Sequence, residues 1–344
     1  MSYYQARSVP CFRVVSGRSA YETIHESIDT VIETVKAAYR AHEQKNTVNP
    51  DSFFLCFPNR EQDRIIALPA HIEEPGRSIT GIKWIASFPD NLSRGIPRAS
   101  ATLILNDPAT GYPLACLEAS VISAARTAAS AVLGALWLNG HSRFAPRLGI
   151  VGTGFIARYI VEFFLRTGWR FEELHLHDMD ADSAEAFALR FGQTVGCVKK
   201  HASATGLTRT ANLIVFTTTA SSPYITDPAS LSHNPLVLHV SLRDLSPEVV
   251  LSAHNVVDDV DHCLKANTSL HLAYQQTGRR DFVGWTLPAI LCGAPIPDRS
   301  RPVIFSPFGM GILDLAVGLH VLDATVRNGA ATELPDFFYD LTRV

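Results

Sequence analysis

Gly152 and Gly154 stand in Gly149-Ile150-Val151-Gly152-Thr153-Gly154-Phe155-Ile156-Ala157, directly after the apolar run 148–151 and before a helix-like run over 159–165. Such a strand turns tightly on the first glycine and lets backbone approach a ligand at the second. The alanine packs the following helix close to the strand, and the helix's unpaired N–H groups then face whatever lies over the turn. A pyrophosphate needs that arrangement. Gly-x-Gly-x-x-Ala alone also makes ordinary turns; strand, helix and a downstream acid together point to a dinucleotide cradled by Gly152, Thr153, Gly154, Phe155 and Ile156. The acid is Asp178, which ends Leu174-His175-Leu176-His177-Asp178, 24 residues past Gly154. That is near the spacing of about 20 residues at which a carboxylate bonds the adenosine ribose hydroxyls. A carboxylate there repels a 2′-phosphate and so favours NAD over NADP. Its plainer role is to cap the helix starting near Asp180.

Arg126 is the one charged side chain in the run 119–131, otherwise small and apolar. A helix apolar all round is buried, and a buried guanidinium needs an anion. Glu118 is the internal choice; a substrate carboxylate or a cofactor phosphate, gripped bidentately, is the functional one. Lys83 lies in Ile79-Thr80-Gly81-Ile82-Lys83-Trp84-Ile85-Ala86-Ser87. A strand lysine is ordinarily solvated, but burial beside Ile82 and Trp84 would lower its pKa and suit it to proton transfer. Arg98, after the loop ending Ile96-Pro97, is placed either to reach a second carboxylate or simply to face solvent. The histidines His71, His175, His177, His233, His239 and His262 show no metal-ligand spacing on one element, so no metal is assigned.

The elements that must position these residues fall into two rhythms. Residues 19–45 read as one amphipathic helix, followed by short strands at 52–57, 64–69, 78–87 and 99–105 joined by turns, which suggests an antiparallel sheet. A long helix of small residues covers 118–138. From 147 strands alternate with helices, at 147–151, 172–177, 195–199, 212–217, 235–240 and 255–257, the doubly wound parallel pattern. The stretch 303–307 then reads as a strand and 308–321 as a turn and helix that return to the first domain. The expectation is α/β: a Rossmann doubly wound parallel sheet (131–301) inserted in a discontinuous α+β substrate-binding and dimerisation domain (1–130 plus 302–344).

At 344 residues the chain can hold two domains, and 30 Lys+Arg against 33 Asp+Glu leave no basic surface for nucleic acid or anionic lipid. No uninterrupted apolar run reaches the roughly 18–20 residues of a membrane span, so no membrane partner is expected. The start, MSYYQARSVP, has no apolar core and reads as no signal sequence. Six scattered cysteines without a Cys-x-x-Cys pair fit reduced thiols in the cytoplasm.

Over about 60–320 the chain resembles the ornithine cyclodeaminase/mu-crystallin family, through Gly81-Ile82-Lys83-Trp84, Ala125-Arg126-Thr127-Ala128-Ala129, the glycine run, and Gly309-Met310-Gly311 before Asp314. Five patterns, one of them overlapping the first of these, are similar to one branch, the dehydrogenases that make L-2,3-diaminopropionate for siderophores and peptide antibiotics. They are Arg64-Ile65-Ile66-Ala67-Leu68-Pro69-Ala70-His71-Ile72, Gly81-Ile82-Lys83-Trp84-Ile85, Arg98-Ala99-Ser100-Ala101, Ile104-Leu105-Asn106-Asp107 and Val256-Val257-Asp258-Asp259. The resemblance implies a small amino acid substrate, N-(2-amino-2-carboxyethyl)-L-glutamate, oxidised by NAD at the glutamyl Cα. The imine would then hydrolyse to 2-oxoglutarate and 2,3-diaminopropionate. It further implies proton handling by Lys83, carboxylate or phosphate binding by Arg126, and Phe308, Gly309 and Met310 beside the nicotinamide. Thr218, Thr219, His239, Val240 and Ser241 would line the cofactor cleft, and the protein would be a homodimer.

Two departures matter. Cyclodeaminases carry an aspartate after a Gly-Gly pair, where this chain has His239-Val240-Ser241-Leu242-Arg243-Asp244, and Asp244 matches a different family position. That favours plain amine oxidation over a cyclodeaminase that recycles its NAD. A family arginine near the first strands has no counterpart in Phe53-Phe54-Leu55-Cys56-Phe57, so Arg64 or Arg98 would take its carboxylate-binding place. A non-catalytic binding protein of the mu-crystallin kind is the third reading.

Overall fold

The computed structural model describes residues 11–74 and 76–339; the ten N-terminal residues read as lacking a signal sequence lie outside them. The chain divides into two compact units, Met1–Arg126 with Met310–Val344, and Thr127–Gly309.

The first unit is built on an eight-stranded sheet. In spatial order the strands are Thr332–Leu334, Phe12–Val15, Pro113–Glu118, Ala99–Asn106, Arg77–Ser87, Arg60–Glu74 and Thr47–Val48, with Phe53–Phe57 also paired to Arg60–Glu74. The strands expected at 52–57, 64–69, 78–87 and 99–105 pair antiparallel, and two strands not expected, Phe12–Val15 and Pro113–Glu118, run parallel to each other. Arg77–Ser87 is central, and alternation along it sends Lys83 to one face and Trp84 to the other. The helix Gly311–Arg327 packs on the Lys83 face and on the helix Ile28–Glu43.

The helix expected over 19–45 is two, Gly17–Glu26 and Ile28–Glu43. Ser27 between them leaves helical geometry at φ −132°, with its hydroxyl donating to the Thr23 carbonyl at 2.6 Å. The apolar spacing runs through the break, so periodicity could not reveal it. The long helix starts at Ser120 rather than 118, because the Glu118 carboxylate accepts from the N–H groups of Ser120 (2.7 Å) and Val121 (3.3 Å). This helix, Ser120–Leu138, is long and apolar enough to cross a membrane by length and composition, yet 72% of it is buried inside the protein. Burial of that kind is what a core helix shows.

The second unit is a parallel sheet in the order Cys197–Lys200, Glu173–His177, Arg147–Val151, Leu213–Phe216, Leu236–His239, Val303–Ser306, His254–Val257, Val283–Thr286. Its central strands are buried at every residue, as a sheet covered on both faces requires. The strand order reverses between Arg147–Val151 and Leu213–Phe216, where α/β sheets bind ligands. Val303–Ser306, assigned from sequence to the 302–344 part of the other domain, is corrected into this sheet, between Leu236–His239 and His254–Val257. The second unit therefore ends at Gly309.

Candidate active site

In the first unit Lys83 is 2% exposed, and its Nζ donates to Asp314 Oδ2 at 2.7 Å and Ser123 Oγ at 3.3 Å. Arg126 Nε donates to Asp314 Oδ1 at 3.2 Å, and its Nη2 reaches Ser123 Oγ at 3.5 Å. One wholly buried carboxylate thus faces two cations. Burial, followed by the Arg126 charge, brings Lys83 down to about 8 against the pull of Asp314. At neutral pH this amine exchanges a proton readily, and the remaining N–H groups of Arg126 can receive an anion. The internal anion beside Arg126 is Asp314 and not Glu118, which is occupied as a helix cap. Sequence alone does not single out Asp314 as that partner. The signal was present, because an acid in the apolar run Gly311-Ile312-Leu313-Asp314-Leu315-Ala316-Val317 demands a buried cation as firmly as Arg126 demands an anion.

Further along the same sheet, Arg98 Nη1 donates to Ser87 Oγ at 2.7 Å. Arg64 sits opposite Ser87 in register.

In the second unit Gly152 takes φ +88°, and a Cβ there would meet Thr217 backbone at 3.0 Å. Gly154 is different: its φ of −77° suits any residue, and an added Cβ would touch nothing of the chain. A glycine there leaves open space over the turn into which a bound group can come close. Phe155–Arg166 begins there without a side-chain cap, leaving first-turn N–H groups for a ligand. Arg158, in that turn, has a buried Nε without a hydrogen-bond partner among the described residues. Asp178 accepts from Thr153 N (2.6 Å) and Oγ1 (2.9 Å) through one oxygen and from Asp180 N (3.0 Å) through the other. The helix cap itself is Asp180, which accepts from Asp182 N, so Asp178 shapes the turn and is not that cap. These residues fit a dinucleotide.

Asp244 organises the adjoining strand ends. Thr218 and Tyr224 (2.8 Å) donate to its Oδ1, and His239 Nε2 (3.1 Å) and Ser241 donate to its Oδ2. Burial alone would raise its pKa, but these hydrogen bonds, His239 first, hold it at about 2. Burial and the Asp244 charge push the Tyr224 phenol up. A carboxylate only accepts, so His239 carries its proton on Nε2, and Nδ1 faces Ser306 Oγ at 3.2 Å. His239 is 1% exposed, and its side chain braces the loop from within. Thr219 is exposed and Val240 half-buried. Asp258 accepts from Phe308 N at 2.9 Å and Gly309 N at 2.7 Å and so fixes the turn before Met310. Met310 has its side chain buried, leaving only its backbone for a ligand. A small recess at these strand ends is lined by His239, Ser241, Leu242, Ser306 and Phe308, among others. Among the described residues no group of three or more His, Cys, Asp and Glu is placed to hold a metal ion.

The family model for ornithine cyclodeaminase/mu-crystallin proteins matches residues 17–230. The chain belongs to this family. It is 29% identical to N-((2S)-2-amino-2-carboxyethyl)-L-glutamate dehydrogenase of Staphylococcus aureus, over 88% of this chain and 92% of that one. It is 25% identical to alanine dehydrogenase of Archaeoglobus fulgidus, over 90% and 95% respectively. Among solved structures, Delta(1)-pyrroline-2-carboxylate reductase of Thermococcus litoralis, in complex with NADH and L-proline, superposes with a TM-score of 0.85. It is 22% identical and covers 94% of this chain and 100% of its own. The family member described here thus shares its fold with a protein solved with NADH bound.

Proposed function

We propose that this chain is an NAD-dependent dehydrogenase acting on the CH–NH bond of an N-linked amino acid, with N-((2S)-2-amino-2-carboxyethyl)-L-glutamate or a close relative as substrate. The products are 2-oxoglutarate and L-2,3-diaminopropionate, a building block for siderophores or peptide natural products. The observation that carries the reading is a buried Lys83 that shares the Asp314 carboxylate with Arg126, the only charged residue of a buried helix.

Bound NAD supplies the hydride acceptor, held by Gly152, Thr153, Gly154, Phe155, Ile156, Asp178 and the Thr218–Thr219 and His239–Ser241 strand ends. Neutral Lys83 accepts the proton that leaves the secondary amine, or the one released by attacking water. Arg126 grips the carboxylate beside the reacting carbon. Asp314 fixes the direction of the Lys83 amine and offsets the charge it gains. Ser123 is within reach of both cations and orients them.

Cyclodeamination finds little support, because Asp244, the nearest carboxylate to the departed Gly-Gly-Asp, is enclosed by four hydrogen-bonding side chains. We place the protein in the cytoplasm, to which free thiols at Cys56, Cys197 and Cys292, all exposed, are suited. Incubation with NAD and the glutamate adduct, with 340-nm absorbance and product analysis, tests the function. NADH equal to the 2-oxoglutarate formed is the expected result. Ornithine turned to proline and ammonia without NADH would establish a cyclodeaminase, and cofactor binding without turnover on any adduct would establish a binding protein.

A further inference from the structure

The sheet face that carries Lys83 holds, at its far end, two arginines that form no ion pair with any described residue. In register, Leu68 lies opposite Lys83, Ile66 opposite Ile85 and Arg64 opposite Ser87, so all six share one face. Arg98 reaches that face through its 2.7 Å hydrogen bond to Ser87. Arg64 Nε is sealed from solvent and has no hydrogen-bond partner among the described residues. No ion pair to a described residue engages either guanidinium. Burial and then the nearby Arg64 charge press Arg98 below its ordinary pKa. Two like charges held close on a partly buried face raise each other's energy, and a planar carboxylate relieves both through forked hydrogen bonds.

Ser87 is four residues beyond Lys83, about 13 Å along an extended strand. Ile66 and Ile85 lie between, only partly buried, while Leu68 and Leu103 beside Lys83 are buried. The face therefore offers a proton-exchanging amine at one end, an apolar middle and a positive end. Arginine's long stem shortens the span that a ligand must cover.

We infer that Arg64 and Arg98, steadied by Ser87, bind a second substrate carboxylate remote from the reacting amine, so that this site selects elongated amino acids carrying an acid at each end. The inference rests on the dehydrogenase reading above and names the residues that discriminate its substrate. A site built to meet an anion rejects an analogue lacking it, because the guanidinium groups are then left unpaired.

The test uses the full chain with NAD and two substrates: the glutamate adduct, and the same adduct with the distal carboxylate replaced by a carboxamide. Arg64→Met and Arg98→Met should each raise KM for the acid roughly ten- to hundredfold, the loss expected for one charged hydrogen-bonding partner, with kcat little changed. The carboxamide should be a poor substrate of the unmutated protein and be affected little by either variant. Equal effects on both substrates, or a fall in kcat at constant KM, would overturn the assignment. Circular dichroism melts identify any variant that fails to fold, and Ser87→Ala supplies a milder perturbation with the same expected selectivity. If the unmutated protein turns over neither substrate, the dehydrogenase reading fails by itself, and calorimetric titration with glutarate and butyrate then decides the arginine site. Tighter binding of glutarate, lost in Arg64→Met and Arg98→Met, upholds the site; equal binding of the two acids refutes it.

Discussion

Asp314→Asn isolates the charge that sets the Lys83 amine while nearly preserving its shape. Across 2.7 Å, at an effective dielectric of about 20, a unit charge pair is worth about 6 kcal/mol, equal to about 4 pKa units and a ceiling once water and neighbouring dipoles relax. Asp314 holds the Lys83 proton on, whereas burial and Arg126 push it off. Removing the carboxylate must therefore lower Lys83 further, from about 8 to about 7 or below. Because the neutral amine is the active form, kcat/KM of the unmutated protein should rise with pH and level off above about 8, and the variant's rise should come at lower pH. Substrate ionisations are common to both proteins, so the displacement belongs to the enzyme. The variant should also lose about 3–5 kcal/mol of stability, read by denaturant unfolding, since Arg126 then lacks its anion and Lys83 must give up its proton or stay charged without a partner. A folded Asp314→Asn protein whose limb stays at about 8, or moves to higher pH, would refute this account of Lys83.

Three further outcomes are expected. Lys83→Ala should abolish turnover while NAD still binds, measured by nicotinamide fluorescence titration; retained turnover removes the lysine from the chemistry. Asp178→Ala should weaken NAD several-fold and narrow its preference over NADP, and calorimetric affinities that do not move would leave Asp178 as a turn-former only. The sheet face opposite Lys83 exposes Phe53, Leu55 and Trp84, which a second copy of the chain would cover. Light scattering should accordingly find a dimer that Trp84→Glu converts toward monomer, and a monomeric unmutated protein would end that expectation.

The second unit was largely legible because its signals are local. A parallel strand buried on both faces must be apolar throughout, a tight turn under a phosphate needs glycine, and both requirements fall on neighbouring residues. Lys83 and Arg126 were legible as charges in apolar surroundings. Their shared partner was less so, because Asp314 lies 231 and 188 residues from them. The Asp244 network was similarly hidden, since its members are ordinary polar residues until strand ends bring them together.

By itself the sequence determined where strand-helix alternation begins, where a dinucleotide turn sits and which charges demand burial, since backbone conformation and apolar pattern are written residue by residue. Tertiary structure decided that Ser27 divides a helix and that Val303–Ser306 joins the parallel sheet. It also decided that one carboxylate serves both Lys83 and Arg126, and that Arg98 bonds Ser87, the residue opposite Arg64 in register. Apart from the break at Ser27, each of these depends on pairing between separate segments, whose free energy comes from burial and register that no local window contains.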